Sequence, residues 1–353
     1  MIKTLVRLLL LLLIVLLVVV LSMGAKVQRY LDTPLNISGQ GFHYSLKKGG
    51  TLSGVAYELA QQDVLQSPRW LLFYVRLANR GHFIETGDYL LEQGITPRQL
   101  LTKLEQGDVQ LFQLTLVEGW NLRQVLDLLH TIPRIQTSIA LNADTMDAQK
   151  LGVETSYLSL EGLFFPDTYS YHSGTTNIEL LRRAYDRMQT VLLEEWQLRA
   201  KDLPYSSPYE ALIMASLIEK ETGVAHERQQ IAGVFVRRLQ KRMRLQTDPA
   251  TIFGLGKDFD GNLRSHHLKD AGNPYNTYRH HGLTPTPIAL AGREAIHAAL
   301  HPAEGETLYF VAKGDGSHYF SVTFEEHQKA VRKYQITQRR KNYSSAPLTK
   351  KPD

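Results

Sequence analysis

Apolar positions follow three patterns along this chain, and each predicts a different kind of element. From Leu8 to Leu21 they form an almost unbroken run, extended by Leu5, Val6 and Met23 to Ala25. That run reaches the ~20 residues a helix needs to cross a bilayer. From Phe42 to Leu46 and from Gln110 to Val117 apolar and polar residues alternate, which predicts strands, and Tyr89 to Leu91 is similarly strand-like. Helical spacing behind good starting residues predicts helices from Thr51 through Gln62, from Pro68 to Asn79, from Thr96-Pro97 to Gln106 and from Asn121 through His130. Near the other end, Tyr309 to Val322 fits two strands joined by a turn at Gly314-Asp315-Gly316-Ser317, and Phe324 to Tyr334 fits a closing helix.

The stretch from Ala215 to Asp248 organises the rest. Leu212, Ala215, Leu217 and Ile218, then Ile231, Val234, Phe235 and Leu239, recur at helical spacing, which predicts two amphipathic helices with a break near Gly223 and Val224. Glu219, Glu221 and Thr222 close the first helix. The pattern sets Glu219 one residue beyond the buried face and turns Glu221 well away from it. A carboxyl group pressed against apolar side chains holds its proton to higher pH and can donate it near neutrality. The same acidic run also fits a solvated helix end.

Composition narrows the classes. With 353 residues, 43% hydrophobic and 21% charged, the chain has room for two or three domains and is neither disordered nor a multi-span membrane protein. Lys and Arg exceed Asp and Glu by 40 to 35, much of the excess falling between Lys329 and Lys351, and no nucleic-acid module accompanies it. The absence of cysteine excludes disulfides, thiolate nucleophiles and Cys-zinc sites. Lys3 and Arg7 precede the long apolar run, and Ser22-Met23-Gly24-Ala25 matches a cleavage site imperfectly. An uncleaved anchor with a cytoplasmic N-terminus and an exported body is expected, placing the protein in a bacterial inner membrane facing the periplasm.

The fold class expected is α+β. Residues 1–25 form a cytoplasmic stub and transmembrane helix, and 26–117 a small α+β module. Residues 118–154 supply a connecting helix and a polar loop from Asn142 to Glu154, 155–338 a larger mixed α+β catalytic domain, and 339–353 a basic tail. The short strands and paired helices around Gly49-Gly50-Thr51-Leu52 look like a LysM-type unit, a class that often binds N-acetylated glycans. A spacer role fits the same pattern.

Candidate chemistry lies in loops flanking the Glu219 helix. In Leu160 to Tyr169, Gly162 and Pro166 enforce a turn, with Phe164 and Phe165 expected in the core and Asp167 as a turn cap. Gln246, Thr247 and Asp248 precede Pro249, which pushes Asp248 toward extended backbone and predicts a loop or strand start. Tyr275, Asn276 and Tyr278 repeat the polar, uncharged theme ahead of the proline-rich loop Gly282 to Ile288. Such loops suit a polysaccharide, whose hydroxyls and acetamides call for paired hydrogen bonds and stacking rather than a basic cradle. His297 and His301 stand four apart, and His266-His267 and His280-His281 are adjacent pairs, but none comes with a third ligand in a metalloprotease pattern. No metal and no cofactor is expected.

Phe165-Pro166-Asp167-Thr168-Tyr169, Glu219-Lys220-Glu221-Thr222, Leu245-Gln246-Thr247-Asp248-Pro249, Tyr275-Asn276-Thr277-Tyr278 and Tyr309-Phe310-Val311-Ala312 follow in that order behind one N-terminal span. This ordered set resembles the endolytic murein transglycosylases, the YceG-like family. The resemblance implies lytic cleavage of the MurNAc-GlcNAc bond inside peptidoglycan strands, leaving a 1,6-anhydro-MurNAc end and terminating nascent strands. It implies Glu219, the first Glu of the EKET motif, as catalytic acid, and penicillin-binding synthases as partners beside the glycan and the inner membrane. Glu221, Gln246, Thr247, Asp248, Tyr275, Asn276 and Tyr278 are the expected substrate-binding residues, Asp248 fitting a loop cap equally well. Arg237 and the loop Thr284 to Pro287 depart from the family pattern. Two other readings remain: a tethered, non-catalytic peptidoglycan-binding scaffold, and a water-using muramidase with Asp248 or Glu221 as second carboxylate.

Overall fold

A computed structural model describes residues 2–47, 49–138, 148, 151–153 and 157–337. The chain divides into two compact units, one of Met1–Phe112, Arg134–Gln136 and Ser170–Thr175, the other of Gln113–Pro133, Thr137–Tyr169 and Thr176–Asp353. Both units mix helices with small sheets, as the α+β expectation requires.

The first unit opens with helix α1 (Ile2–Leu31). Its stretch Thr4–Leu31 is long and apolar enough to cross a membrane, and the leucines and valines from Leu8 to Leu21 are all exposed. The last turns behave differently. Val27 and Leu31 are buried in a core shared with the helices α2 (Leu52–Gln61), α3 (Pro68–Ala78) and α4 (Pro97–Gln106). Strand β1 (Phe42–Leu46) pairs antiparallel with β2 (Gly87–Leu91), Phe42 opposite Leu91, so that Tyr44, Leu46, Tyr89 and Leu91 turn into that core. Local chemistry sets the boundaries: Thr51 accepts from the Gly54 amide, Thr96 and Gln99 form a reciprocal capping box, and Asn79 and Gly107 end their helices in the left-handed region.

Strand β3 (Phe112–Thr115), shorter than the alternation from Gln110 to Val117, pairs with β4 (Thr168–Tyr171). Helix α5 (Leu122–Thr131), expected in the connecting segment 118–154, belongs to the second unit. There follow α6 (Asn177–Gln197), α7 (Pro208–Glu221), a 3-10 turn at Ala225–Glu227 and α8 (Arg228–Gln240). After these come α9 (Asp248–Leu255), α10 (Ser265–Lys269), α11 (Arg293–Leu300), and the antiparallel pair β5 (Tyr309–Ala312) and β6 (His318–Ser321). The closing helix α12 ends earlier than expected (Phe324–Val331) and runs into a π-helical turn, Arg332–Thr337. Most of the polar loop Asn142 to Glu154, and the basic tail 339–353, lie outside the described residues.

Helix α7 is the centre of the second unit. It packs against α6, α8, α9 and α11, and every residue from Ala211 to Ile218 is buried. A stretch enclosed on all sides has no solvent face, so the amphipathic reading fails from Ala211 to Ile218, and only the last turn, with Lys220 exposed and Glu221 half-buried, reaches the surface. The one polar side chain inside, Ser216, is satisfied: its hydroxyl donates to Ile213 O and accepts from the Ile288 amide. Asp248, expected in a loop or strand start, begins α9, because proline is well tolerated in the first turn of a helix.

Gly162 positions the Leu160–Tyr169 turn against the proline-rich loop. Its φ is +75°, and an added Cβ would stand 2.4 Å from Pro287 Cβ and 3.1 Å from Ala289 O. Gly162→Ala is expected to cost about 2–4 kcal/mol, from left-handed strain plus overpacking, read as a fall in the thermal unfolding midpoint. Phe164 and Phe165 are buried, while Asp167 accepts the Thr168 amide on its side chain and the Leu116 amide on its carbonyl.

Candidate active site

The two glutamates at the end of α7 have different surroundings. Glu219 Oε2 accepts from the Gly292 amide at the start of α11 (3.1 Å), and Oε1 lies 3.8 Å from Arg228 Nη2, leaving 6% of the side chain exposed. Burial and the Glu118 charge raise its pKa above the ordinary range, while the Gly292 hydrogen bond, Arg228 and Lys220 oppose them. It links α7 to α11 and lines neither of the two cavities beside the end of α7.

Glu221 lines a groove of about 550 Å³ together with Lys220, Arg238, Gln246, Asp248, Tyr278 and Tyr309. The residue is half-buried, and its carboxyl makes no hydrogen bond or ion pair of ordinary geometry among the described residues. Burial pushes its pKa up to about 7; the nearby Thr247 hydroxyl and Arg238 pull it down, and the Asp248 charge pushes it further up. Thr247 Oγ1 is buried just behind and has no well-formed hydrogen bond of its own. Thr247 is held from its backbone, its amide donating to Thr277 Oγ1 at 2.9 Å.

The groove's other polar groups are fixed by their neighbours. Tyr278 OH donates to Asp248 Oδ1 at 2.6 Å. Gln246 takes a left-handed backbone (φ +56°), and its Oε1 accepts from Arg238 Nη1 at 3.3 Å. Arg238 is buried: it donates to Leu308 O (2.7 Å) and Leu245 O (2.8 Å), and its guanidinium lies 5.1 Å from the centre of the Tyr309 ring. Beneath the EKET turn, the buried Glu227 accepts from the His318 amide at 2.8 Å, faces His318 Nδ1 at 2.8 Å and receives the Thr222 hydroxyl at 3.4 Å. These contacts tie the end of α7 to the β5–β6 pair that supplies the groove wall.

A model of the YceG-like family matches residues 44–333. The chain belongs to that family. A relative from Bacillus subtilis (strain 168), called endolytic murein transglycosylase, is 33% identical over 306 residues, covering 82% of this chain and 84% of its own. A protein of the same name from Streptococcus pneumoniae serotype 2 (strain D39 / NCTC 7466) is 27% identical over 349 residues, covering 86% of this chain and 61% of its own length. The crystal structure of a putative YceG-like protein from Listeria monocytogenes is similar with a TM-score of 0.53 and 28% identity, over 83% of this chain and all of that one.

Not every expected binding residue of this YceG-like chain reaches the groove. Tyr275 directs its hydroxyl to Thr286 Oγ1 at 2.9 Å, and Asn276 is fully buried. Asn276 Nδ2 donates to Asp270 O (2.6 Å) and His267 O (3.1 Å), while its Oδ1 accepts from the Tyr278 amide (3.1 Å). Its polar atoms are engaged by the surrounding loop backbone and do not point into the groove.

A second cavity of about 510 Å³ meets the groove at Lys220, Pro249 and Ile252, and is also lined by Asn121, Ser159, Glu161 and Phe253. Glu161, Lys220 and Arg238 were not among the expected site residues. Both Glu161 oxygens lie 3.0 Å from the Leu122 amide at the start of α5. Burial pushes its pKa up to about 7 against the Leu122 and Gly162 amides and the Lys220 charge. The histidine pair also gains a neighbour invisible in local spacing: Glu195 of α6, whose ligand atom lies within 4.8 Å of those of His297 and His301. Its two oxygens are already engaged, by Arg293 Nη1 at 2.8 Å and His297 Nδ1 at 2.9 Å.

Proposed function

We propose that the chain is an endolytic peptidoglycan lytic transglycosylase, cutting the MurNAc-GlcNAc bond within glycan strands, and that its acid is Glu221 rather than Glu219. The observation that carries this reading is a carboxyl sunk in a groove wall beside Asp248 and Tyr278, free of ion pairs among the described residues, with a pKa pushed up to about 7. Glu219 is also largely buried but is turned to the α11 amide. The two cavities meeting at Lys220 suit a polymer, because endolytic cutting needs sugars held on both sides of the broken bond.

In this reaction Glu221 gives its proton to the glycosidic oxygen as the C1–oxygen bond breaks. Its carboxylate then takes the proton of the same sugar's C6 hydroxyl as the C1–O6 bond forms, restoring the acid and leaving the 1,6-anhydro end. No water is consumed and no second carboxylate is needed, since the tethered C6 hydroxyl is present at high effective concentration. Gln246 and the Asp248–Tyr278 pair supply hydrogen bonds for hydroxyls and acetamides from the groove wall. Mass analysis of sacculi digested by the full chain tests the reaction type. Anhydro ends, lighter than reducing ends by one water, are expected; reducing ends throughout would mean a hydrolase.

A pH profile follows from the same carboxyl. A raised pKa keeps Glu221 protonated below about pH 7, so kcat/KM should be sustained on the acid side and fall by about tenfold per unit well above it. An alkaline limb unchanged up to pH 9 would count against Glu221 as the proton donor.

Helix α1 is read as a single-pass anchor in a bacterial inner membrane, with a cytoplasmic N-terminus and the body in the periplasm. The first unit is read as a LysM-like glycan-binding module, its paired strands and helices supporting that role. An anchored cutter acts close to strand synthesis, which suits termination of nascent strands beside penicillin-binding synthases. Pull-down with the anchor intact tests that partnership.

A further inference from the structure

Helix α3 carries an exposed face for which its own unit offers no cover. Leu71 is buried, whereas Arg69, Phe73, Arg76 and Leu77 are exposed, Leu77 by 77%. At 100° per residue these four fall on one continuous arc, bordered by Trp70, whose ring meets Phe73 edge-on at 6.3 Å. Aromatic and aliphatic side chains interleaved with arginine are the composition of a helix lying in a lipid headgroup layer, where the rings sink toward the acyl chains and the guanidinium groups meet anionic phosphates.

The position of α3 along the chain says which surface it meets. Helix α1 runs unbroken from Ile2 to Leu31, with no loop between the apolar run and the turns docked in the first unit's core. Val27 and Leu31 share one core cluster with Leu71; Tyr30, Trp70 and Tyr74 pack against that cluster, and Arg98 clamps the helix end through Asp32 (2.9 Å) and Gln28 (2.7 Å). If the apolar residues up to Ala25 fill the hydrocarbon layer, Val27 to Leu31 rise only ~3–9 Å beyond it at 1.5 Å per residue. A headgroup layer is roughly 5–8 Å deep on each side, so the dock sits within or just above it.

We propose that the Arg69–Phe73–Arg76–Leu77 face of α3 is a membrane-contact surface that rests on the anionic headgroups of the bilayer crossed by α1. The proposal depends on α1 being a membrane span. Its consequence is that the first unit is held against the membrane by two attachments rather than one, which fixes its orientation and not only its distance.

The cysteine-free chain permits a direct test with single spin labels. Leu77→Cys, Leu12→Cys and Leu198→Cys are labelled in the full chain, reconstituted in nanodiscs containing phosphatidylglycerol. Relaxation by oxygen, which concentrates in lipid, is compared with relaxation by a water-soluble nickel chelate. Leu12 should read as deep lipid and Leu198 as water, while Leu77 should show an oxygen-to-nickel ratio about threefold or more above Leu198. Adding Arg69→Glu and Arg76→Glu should bring the Leu77 ratio down toward the aqueous value. A lipid-embedded Leu12 with an aqueous Leu77 overturns the proposal and leaves the anchor standing, whereas an aqueous Leu12 removes both. A Leu77 label immobilised and shielded from both relaxers indicates a protein partner, which also overturns it.

Discussion

Glu221→Gln should lower the rate of anhydro-end formation on purified sacculi by about 10³-fold, the typical worth of a positioned general acid. The amide keeps the shape and size of the acid but cannot deliver a proton to the leaving oxygen. The Thr247 hydroxyl beside Glu221 can face the amide oxygen as it faces the carboxyl, so the groove should keep its shape. The unfolding midpoint should stay level or rise, because a carboxyl with a pKa of about 7 is destabilising when ionised in the folded chain. Glu219→Gln is the matched comparison. Its amide oxygen can still accept from Gly292, so activity should stay within about tenfold of the parent. A dead Glu219→Gln with an unchanged midpoint, beside an active Glu221→Gln, would return the catalytic role to the first glutamate.

That choice between carboxylates shows where sequence reasoning reached its limit. The caps, strands and helices of the first unit were legible because their determinants are local: Thr51 and Thr96 bond to amides three residues away, and β1 and β2 alternate in step with their pleat. Helix α7 is different. Its surroundings are set by α6, α8, α9 and α11, and a pattern read along one segment does not reveal that all sides are covered. The inside-outside rule therefore could not show that Glu221 faces a groove wall rather than open surface. The same blindness hid the committed polar atoms of Asn276, which lie against carbonyls of His267 and Asp270, and the approach of Glu195 to His297 from another helix. Of the residues expected to bind substrate, Gln246, Asp248 and Tyr278 line the groove beside Glu221.

Glu227→Ala is expected to destabilise the second unit by about 3–4 kcal/mol. Glu227 is 3% exposed and His318 is 7% exposed, so water does not replace what is removed. The His318 amide and ring nitrogen, both 2.8 Å from the carboxylate, would lose their buried partner, and the Thr222 hydroxyl would lose a weaker one at 3.4 Å. For a unit of this size the midpoint should fall by roughly 10 °C in a thermal scan. Glu227→Gln retains an acceptor for the amide and should lose less than half as much. Activity should fall in both variants beyond what the unfolded fraction explains, because Thr222 directly follows Glu221 and His318 opens β6 in the groove wall. That excess loss, measured as kcat at a temperature where each variant is fully folded, separates a residue that positions the acid from one that merely holds the core. An Ala variant that loses stability but keeps full kcat would mean that the groove wall and the acid are set independently of this buried link.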